Sequence, residues 1–224
     1  MQCLPQLSDQ VRQASRELRA RNTGAAPEAT LSELFSEVAV DGAVSGFLCA
    51  QMRDITRPVL WIQDRVSLRE AGRPCLAGLP VPLQLLHVTV SKAADLLWTM
   101  EEGLRCGGLG AVVGELWGDP PQLDFTATKR LALRSEAQGL PTFLLRRGGQ
   151  ANLSAARLRW RIASLPSLPQ PHDSRAPGPP QWRAELFRAR WQAPGEWVAR
   201  HDATGLVLEH DLPTAPADPL ERQA

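Results

Sequence analysis

The chain has little of what metal and redox chemistry need. Its four cysteines, Cys3, Cys49, Cys75 and Cys106, are widely spaced and form no C-x-x-C pair, so neither a zinc site nor a disulfide framework is signalled. Reduced thiols and a cytoplasmic location are the expectation. The four histidines, His87, His172, His201 and His210, share no ligand spacing, and His201 beside Asp202 falls in a turn sequence rather than a catalytic dyad. No metal motif and no nucleophile elbow occurs, so no metal and no cofactor is expected. Net charge is also nearly absent: 25 basic and 24 acidic residues leave +1. No broad field therefore draws in nucleic acid or an anionic membrane, and any DNA contact must be local. No stretch approaches the length of a membrane span, and the first thirty residues carry several charges and no apolar leader core.

What is present is a set of short apolar runs suited to one α/β domain with a small appendage. The organising stretch is Gly107 to Trp117. Glycines at Gly107 and Gly108 close a helical run containing Ala94, Leu97, Trp98 and Leu104, and Ala111, Val112 and Val113 follow without alternation. A strand that is apolar on both faces belongs in the middle of a parallel sheet. Glu115 then lies at its carboxyl end, where open α/β sheets line their ligand crevice; a solvated strand-end glutamate is the plain alternative.

Phe35 to Val40 reads as an earlier strand, Asp41 to Val44 as a turn and Ser45 to Met52 as a helix, which is where a phosphate-binding loop would belong. A working loop reads G-x-x-x-x-G-K-[ST], because backbone N–H groups cradle the phosphates, the lysine meets their charge and the hydroxyl holds magnesium. Counting from Gly46, this chain has Asp41 at the first glycine, Phe47 at the lysine and Leu48 at the hydroxyl. An acid repels phosphate and two apolar side chains replace the binding groups, so the site reads as dismantled.

Val59 to Ile62 is a second strand ending at Gln63 and Asp64, followed by a Pro- and Gly-rich loop to Pro82, a third strand from Leu83 to Val90, and a helix that Ser91 can cap. Glu101 and Glu102 near its end diverge by ~100° and read as solvated or partner-facing. After a short loop from Trp117 to Gln122, a helix from Asp124 or Thr126 to Gln138 carries Lys129, Arg130 and Arg134 on one face, either a phosphate-contacting pair or a solvated one. Thr142 to Leu145 is a strand. From Leu158 the period becomes two, with Leu158, Trp160 and Ile162 alternating with arginines.

Leu165 to Gln181 is a proline-rich excursion, and Trp182 to Arg190, Glu196 to Arg200 and Leu206 to His210 form a closing antiparallel unit. Its tryptophans and arginines, Trp191 and Trp197 among them, are either interface anchors or core tryptophans beside solvated arginines. At the other terminus Leu7, Val11, Ala14 and Leu18 form the apolar stripe of an amphipathic helix, joined by the Asn22 to Pro27 linker. These boundaries give an N-terminal helix and linker over 1–28, an α/β core over 29–164, a proline-rich loop over 165–181, a β extension over 182–212 and a disordered tail over 213–224.

The stretches LSELFSEVAV, PVLWIQD, SKAADLLWTMEEGLRCGGLGAVVGEL, LDFTATKRLALRSEAQGLPTFLLR, LRWRIASLPS and QWRAELFRARWQAPGEWVARHDATGLV resemble the inducible-mutagenesis protein A (ImuA) family, and they cover most of Leu31 to Leu208. The resemblance implies a RecA-like fold, a mostly parallel sheet flanked by helices with a C-terminal antiparallel extension. It implies an accessory of damage-induced, error-prone translesion synthesis that works beside ImuB, a Y-family-like protein, and an error-prone replicative polymerase subunit. RecA itself and a second copy of the chain are further candidate partners. Carried over by position, Glu115 falls at the Walker B aspartate and Asp64 near the catalytic glutamate, while Asp41, Phe47 and Leu48 depart from the ATP-binding pattern. The DNA-facing loops would be Trp117 to Gln122 and Gly148 to Ala156, which makes Trp117, Arg146 and Arg147, with Arg130 and Arg134, candidates for weak or indirect DNA contact. Leu7, Val11, Leu18, Trp191 and Trp197 are the partner-binding candidates. The expected function is that of a non-catalytic adaptor; a degenerate but active ATPase and an inhibitor of cell division like SulA, to which the family is related, are the alternatives.

Overall fold

A computed structural model describes residues 27–75, 83–173, 175–202 and 205–209. The proposed N-terminal helix, with Leu7, Val11 and Leu18, lies outside the described residues, as does the proposed tail. Among the described residues nine strands form a single sheet: β1 (Leu31–Ser36), β2 (Val59–Asp64), β3 (Leu85–Val90), β4 (Ala111–Trp117), β5 (Thr142–Arg147), β6 (Leu158–Leu165), β7 (Gln181–Ala189), β8 (Gly195–Asp202) and β9 (Gly205–Glu209). Their order is β3-β2-β4-β5-β1-β6-β7-β8-β9. Every pairing from β3 to β6 is parallel, and β7, β8 and β9 add on antiparallel. The chain is thus α/β with a mostly parallel sheet and antiparallel C-terminal strands.

Among the described residues four helices cover it: α1 (Ala43–Gln51), α2 (Arg65–Ala71), α3 (Ala93–Gly103) and α4 (Phe125–Gln138). Successive strands step outward from β1 to β2 to β3 and then return through β4 and β5. Because parallel crossovers are right-handed, reversing the direction of travel moves the connecting helices to the opposite face. The two cores follow that division. Phe47 and Leu48 of α1 pack with Trp61, Val113, Leu145 and Trp160 on one face. Leu96 and Met100 of α3 and Leu131 of α4 pack with Ile62, Val112, Leu116 and Leu144 on the other. Successive residues of β4 therefore serve alternate cores, which is why Ala111 to Val113 is apolar without a break.

Four local expectations need correction. The first strand is Leu31–Ser36, ahead of the expected Phe35 to Val40, because its polar residues Ser32, Glu33 and Ser36 are buried rather than excluded from the sheet. Trp117 ends β4 instead of opening a loop. Helix α2 stands in the segment read as irregular, and it exists because Asp64 caps it: Asp64 Oδ1 accepts the Ser67 N–H at 2.6 Å. Ser91 does not cap α3, whose N-cap is Lys92 with no side-chain bond. By contrast α4 has the expected ends, an Asp124 side chain accepting the Ala127 N–H and a left-handed Gly139.

Gly114 lets α3 lie close against β4. A β-carbon there would run into Met100 Sδ and press on Leu96 at 3.0 Å. Gly114→Ala is expected to lower stability by about 1–3 kcal/mol through overpacking, read from the urea midpoint at unchanged m-value.

Candidate functional site

The carboxyl ends of β1, β2, β4 and β5 converge beside the start of α1, and a cleft of about 280 Å³ opens there, lined by Ser45, Gly46, Cys49, Gly72, Glu115 and Arg147 among others. This is the crevice position that open α/β sheets use for ligands. The segment that would be a phosphate loop is already helix: α1 begins at Ala43, two residues before the expected Ser45. The Gly46 N–H donates to Gly42 O at 2.9 Å and is spent inside the helix. The Ala43 N–H donates to Asp41 Oδ1 at 2.9 Å, so a carboxylate of the chain itself holds the helix start. Asp41 also accepts the Ser164 N–H at 3.0 Å and its hydroxyl at 2.7 Å, which pins the turn to β6.

Phe47 and Leu48 do not point into the cleft. Both have no exposed surface. The Phe47 ring meets Trp160 with centroids 5.5 Å apart and Trp182 edge-on at 6.2 Å, and Trp160 meets Trp197 at 5.9 Å. The positions that matched lysine and hydroxyl by counting are instead the contact between α1 and the C-terminal strands.

In the cleft wall, Glu115 and Arg147 form an ion pair between neighbouring strands, each only a few per cent exposed. Glu115 Oε2 also accepts from Trp61 Nε1 and Gln63 Nε2, both at 2.9 Å. Arg147 spends its other donors on Ser45 Oγ at 2.8 Å, Asp41 O at 2.9 Å and Ala39 O at 3.1 Å. The guanidinium thereby ties β5 to β4, to the β1–α1 turn and to α1. A buried pair of this kind holds only because its remaining donors and acceptors are satisfied. Asp64 is committed as well: one oxygen caps α2 and the other accepts the Trp117 N–H at 2.8 Å. Gln63 Oε1 lies 2.7 Å from His87 Nε2, and since Oε1 only accepts, the ring donates. Burial first, then the Arg73 charge, lowers the His87 pKa, with Glu115 opposing. Burial pushes the Cys49 thiol up to about 12, assisted by the Glu115 charge, so this cleft cysteine is a poor nucleophile.

The proposed DNA-contacting cations are engaged elsewhere. Arg130 and Arg134 both bind Glu101, at 3.0 and 2.7 Å, which also gives that glutamate its partner. Arg146 is buried, pairs with Asp119 and lies 3.7 Å from Glu33. Arg159 reaches the other Glu33 oxygen at 2.7 Å, and both guanidiniums sit over the Phe35 ring. Arg147 is in the cleft wall, and Trp117 is half-buried at the end of β4. Of the proposed C-terminal anchors, Trp197 is buried at 6 % exposure in the aromatic cluster and cannot present itself to a partner, whereas Trp191 is 55 % exposed. The residues that sequence reasoning missed are Glu33, Trp61, Gln63 and Arg159, polar or aromatic groups inside the sheet. The register of arginines in β6 opposite the lone acid of β1 was the available signal. Among the described residues no group of His, Cys, Asp and Glu could hold a metal ion, and no helix is long and apolar enough to cross a membrane.

The class that the fold and site define is an α/β protein with a mostly parallel sheet, in which the expected phosphate-loop position is folded into a helix and the strand-end acid is paired internally. No family model matches the chain. It is 34 % identical over 180 residues to Protein ImuA of Caulobacter vibrioides, in strains NA1000 / CB15N and ATCC 19089 / CIP 103742 / CB 15 alike, covering 71 % of this chain and 70 % of each relative. The chain belongs to the ImuA family.

Two outcomes follow from this geometry. Phe47→Lys, which restores the counted lysine, buries a cation among Trp160 and Trp182 and should cost at least about 3 kcal/mol in denaturant unfolding. For His87 the folded pKa lies below the unfolded value of about 6.5, so its contribution is complete above that pH and is lost as pH falls through the lower folded pKa. Urea midpoints measured between pH 7.5 and 5 should decline, and His87→Gln should reduce the slope.

Proposed function

We propose that the chain is a non-catalytic, RecA-like accessory of DNA-damage-induced error-prone translesion synthesis, acting with an ImuB-type Y-family-like protein and an error-prone replicative polymerase subunit. Membership of the ImuA family supports the system. The observation that carries the non-catalytic reading is the inward commitment of the binding groups. Gly46 N–H is consumed in the helix, Phe47 and Leu48 are core, and Asp41 sits on the free amide of Ala43. A phosphate entering here would meet a carboxylate before any amide.

The cleft itself remains, and Arg147 with Ser45 on its wall keeps the degenerate ATPase reading in contention. Phosphate would have to displace Arg147 from Glu115, Asp41 O and Ser45, leaving the buried carboxylate without its counter-charge, a loss of about 3–5 kcal/mol before any gain. Isothermal calorimetry with magnesium and ATP should therefore show no saturable heat at about millimolar nucleotide. Micromolar binding with turnover abolished by Glu115→Gln would restore the enzyme. A pull-down from damaged cells separates the adaptor, which should bring down translesion polymerases, from a SulA-like inhibitor, which should bring down division proteins.

A further inference from the structure

A second cleft, of about 260 Å³, lies between the loop before β6 and the end of β7, with Phe125, Ser154, Arg157, Arg188 and Arg190 in its wall. Its charge is unbalanced. Elsewhere on β6 to β9 the exposed arginines have carboxylate partners: Arg161 with Glu185, Arg183 with Glu37, and Arg200 with Glu209. In the cleft Arg157 is ion-paired to Glu136 at 2.6 Å, which raises the arginine's pKa and lowers the acid's, and the Arg190 charge also acts on that acid but from beyond ion-pair distance. Arg188 has one long bond to Ser154 O at 3.4 Å, and Arg190 lies over the Trp191 ring at 5.6 Å. Among the described residues neither has a carboxylate within ion-pair distance. Both guanidiniums are exposed at the mouth of the cleft.

One exposed apolar side chain stands in the wall, and two more are sequence neighbours of its residues. Phe125 is 43 % exposed, Trp191 55 % and Leu153, next to Ser154, 74 %. Tryptophan and arginine side by side with exposed aliphatic surface are the composition of interface anchors. Nucleic acid fits less well: Arg190 already covers a Trp191 face that a base would need, Leu153 offers no stacking plane, and the net charge of +1 supplies no field along a strand.

We propose that this cleft docks an acidic, leucine- or phenylalanine-containing segment of a protein partner, with Arg188 and Arg190 taking its carboxylates and Phe125, Leu153 and Trp191 its apolar side chains. Planar guanidiniums bind carboxylates bidentately, and a hydrophobic rim excludes water from those pairs, which raises their worth above that of open surface pairs. The surface rests on the accessory reading only in that an accessory protein needs partners; it lies apart from the cleft at Glu115, so ATP turnover there would refute the non-catalytic reading and leave this one standing.

The test is fluorescence anisotropy with a labelled short peptide carrying adjacent glutamates beside leucine and phenylalanine, a glutamine-for-glutamate analogue, and a labelled single-stranded oligonucleotide. The full chain should bind the acidic peptide and not the analogue. The Arg188→Gln/Arg190→Gln variant, with an unchanged melting temperature, should bind it at least about tenfold more weakly. Trp191→Ala should weaken binding separately, while Arg161→Gln, on the same sheet face, should not. Equal binding by the double arginine variant, no binding of the acidic peptide, or displacement of that peptide by the oligonucleotide through the same arginines would overturn the proposal.

Discussion

Everything at the carboxyl end of this sheet is set by one buried ion pair, Arg147 with Glu115. Placing two charges where water cannot reach is costly, and the cost is met only if every remaining donor and acceptor finds a partner. The surroundings supply them: Trp61 and Gln63 for the carboxylate, Ser45 and the carbonyls of Ala39 and Asp41 for the guanidinium. The turn between β1 and α1 is thereby held against β5. A loop that must open around a phosphate needs its carbonyls turned away and its amides free; here the Ala39 and Asp41 carbonyls grip an arginine, the Ala43 amide holds Asp41 and the Gly46 amide is spent in the helix.

The same turn fastens the C-terminal strands. Asp41 reaches Ser164 at the end of β6, while two residues of α1 in the lysine and hydroxyl positions enter the core shared with Trp160, Trp182 and Trp197. Phenylalanine and leucine at those two positions make α1 a packing helix for the C-terminal strands. A second ion-pair system, Glu33 with Arg146 and Arg159 against the Phe35 ring, lies on the other face and joins β1 to both its neighbours, though Glu33 Oε1 and Arg146 Nε find no hydrogen-bond partner there. These pairs, with Glu101 on Arg130 and Arg134, use up the cations that by sequence were candidates for DNA contact, while Arg188 and Arg190 form no ion pair among the described residues.

Much of the architecture was legible because it depends on local signals. The unbroken apolar run of Ala111 to Val113, Asp124 and Gly139 at the ends of α4, and the change to a period of two at Leu158 each report a local constraint that the fold keeps. Glu115 at a strand end and the missing lysine were legible for the same reason. What was not legible depends on contacts distant in sequence. The expected first strand falls too late because Glu33 is paired inside the sheet with Arg159 at 2.7 Å, and Arg146 and Arg147 read as candidate DNA contacts until their acids arrive from β1, β4 and the loop after it. Composition could not tell a core tryptophan such as Trp197 from an exposed one such as Trp191. Only the side each residue takes on its strand decides that.

The central claim, that Arg147 is a structural strut rather than a ligand-binding cation, is tested most directly by a double-mutant cycle on Glu115→Leu and Arg147→Met, read by urea unfolding. The account predicts that each single change costs about 3 kcal/mol or more, because it strands a buried charge, and that the double variant recovers much of the loss, giving a coupling above about 1.5 kcal/mol. Additive losses, or an Arg147→Met protein as stable as the parent, would contradict it.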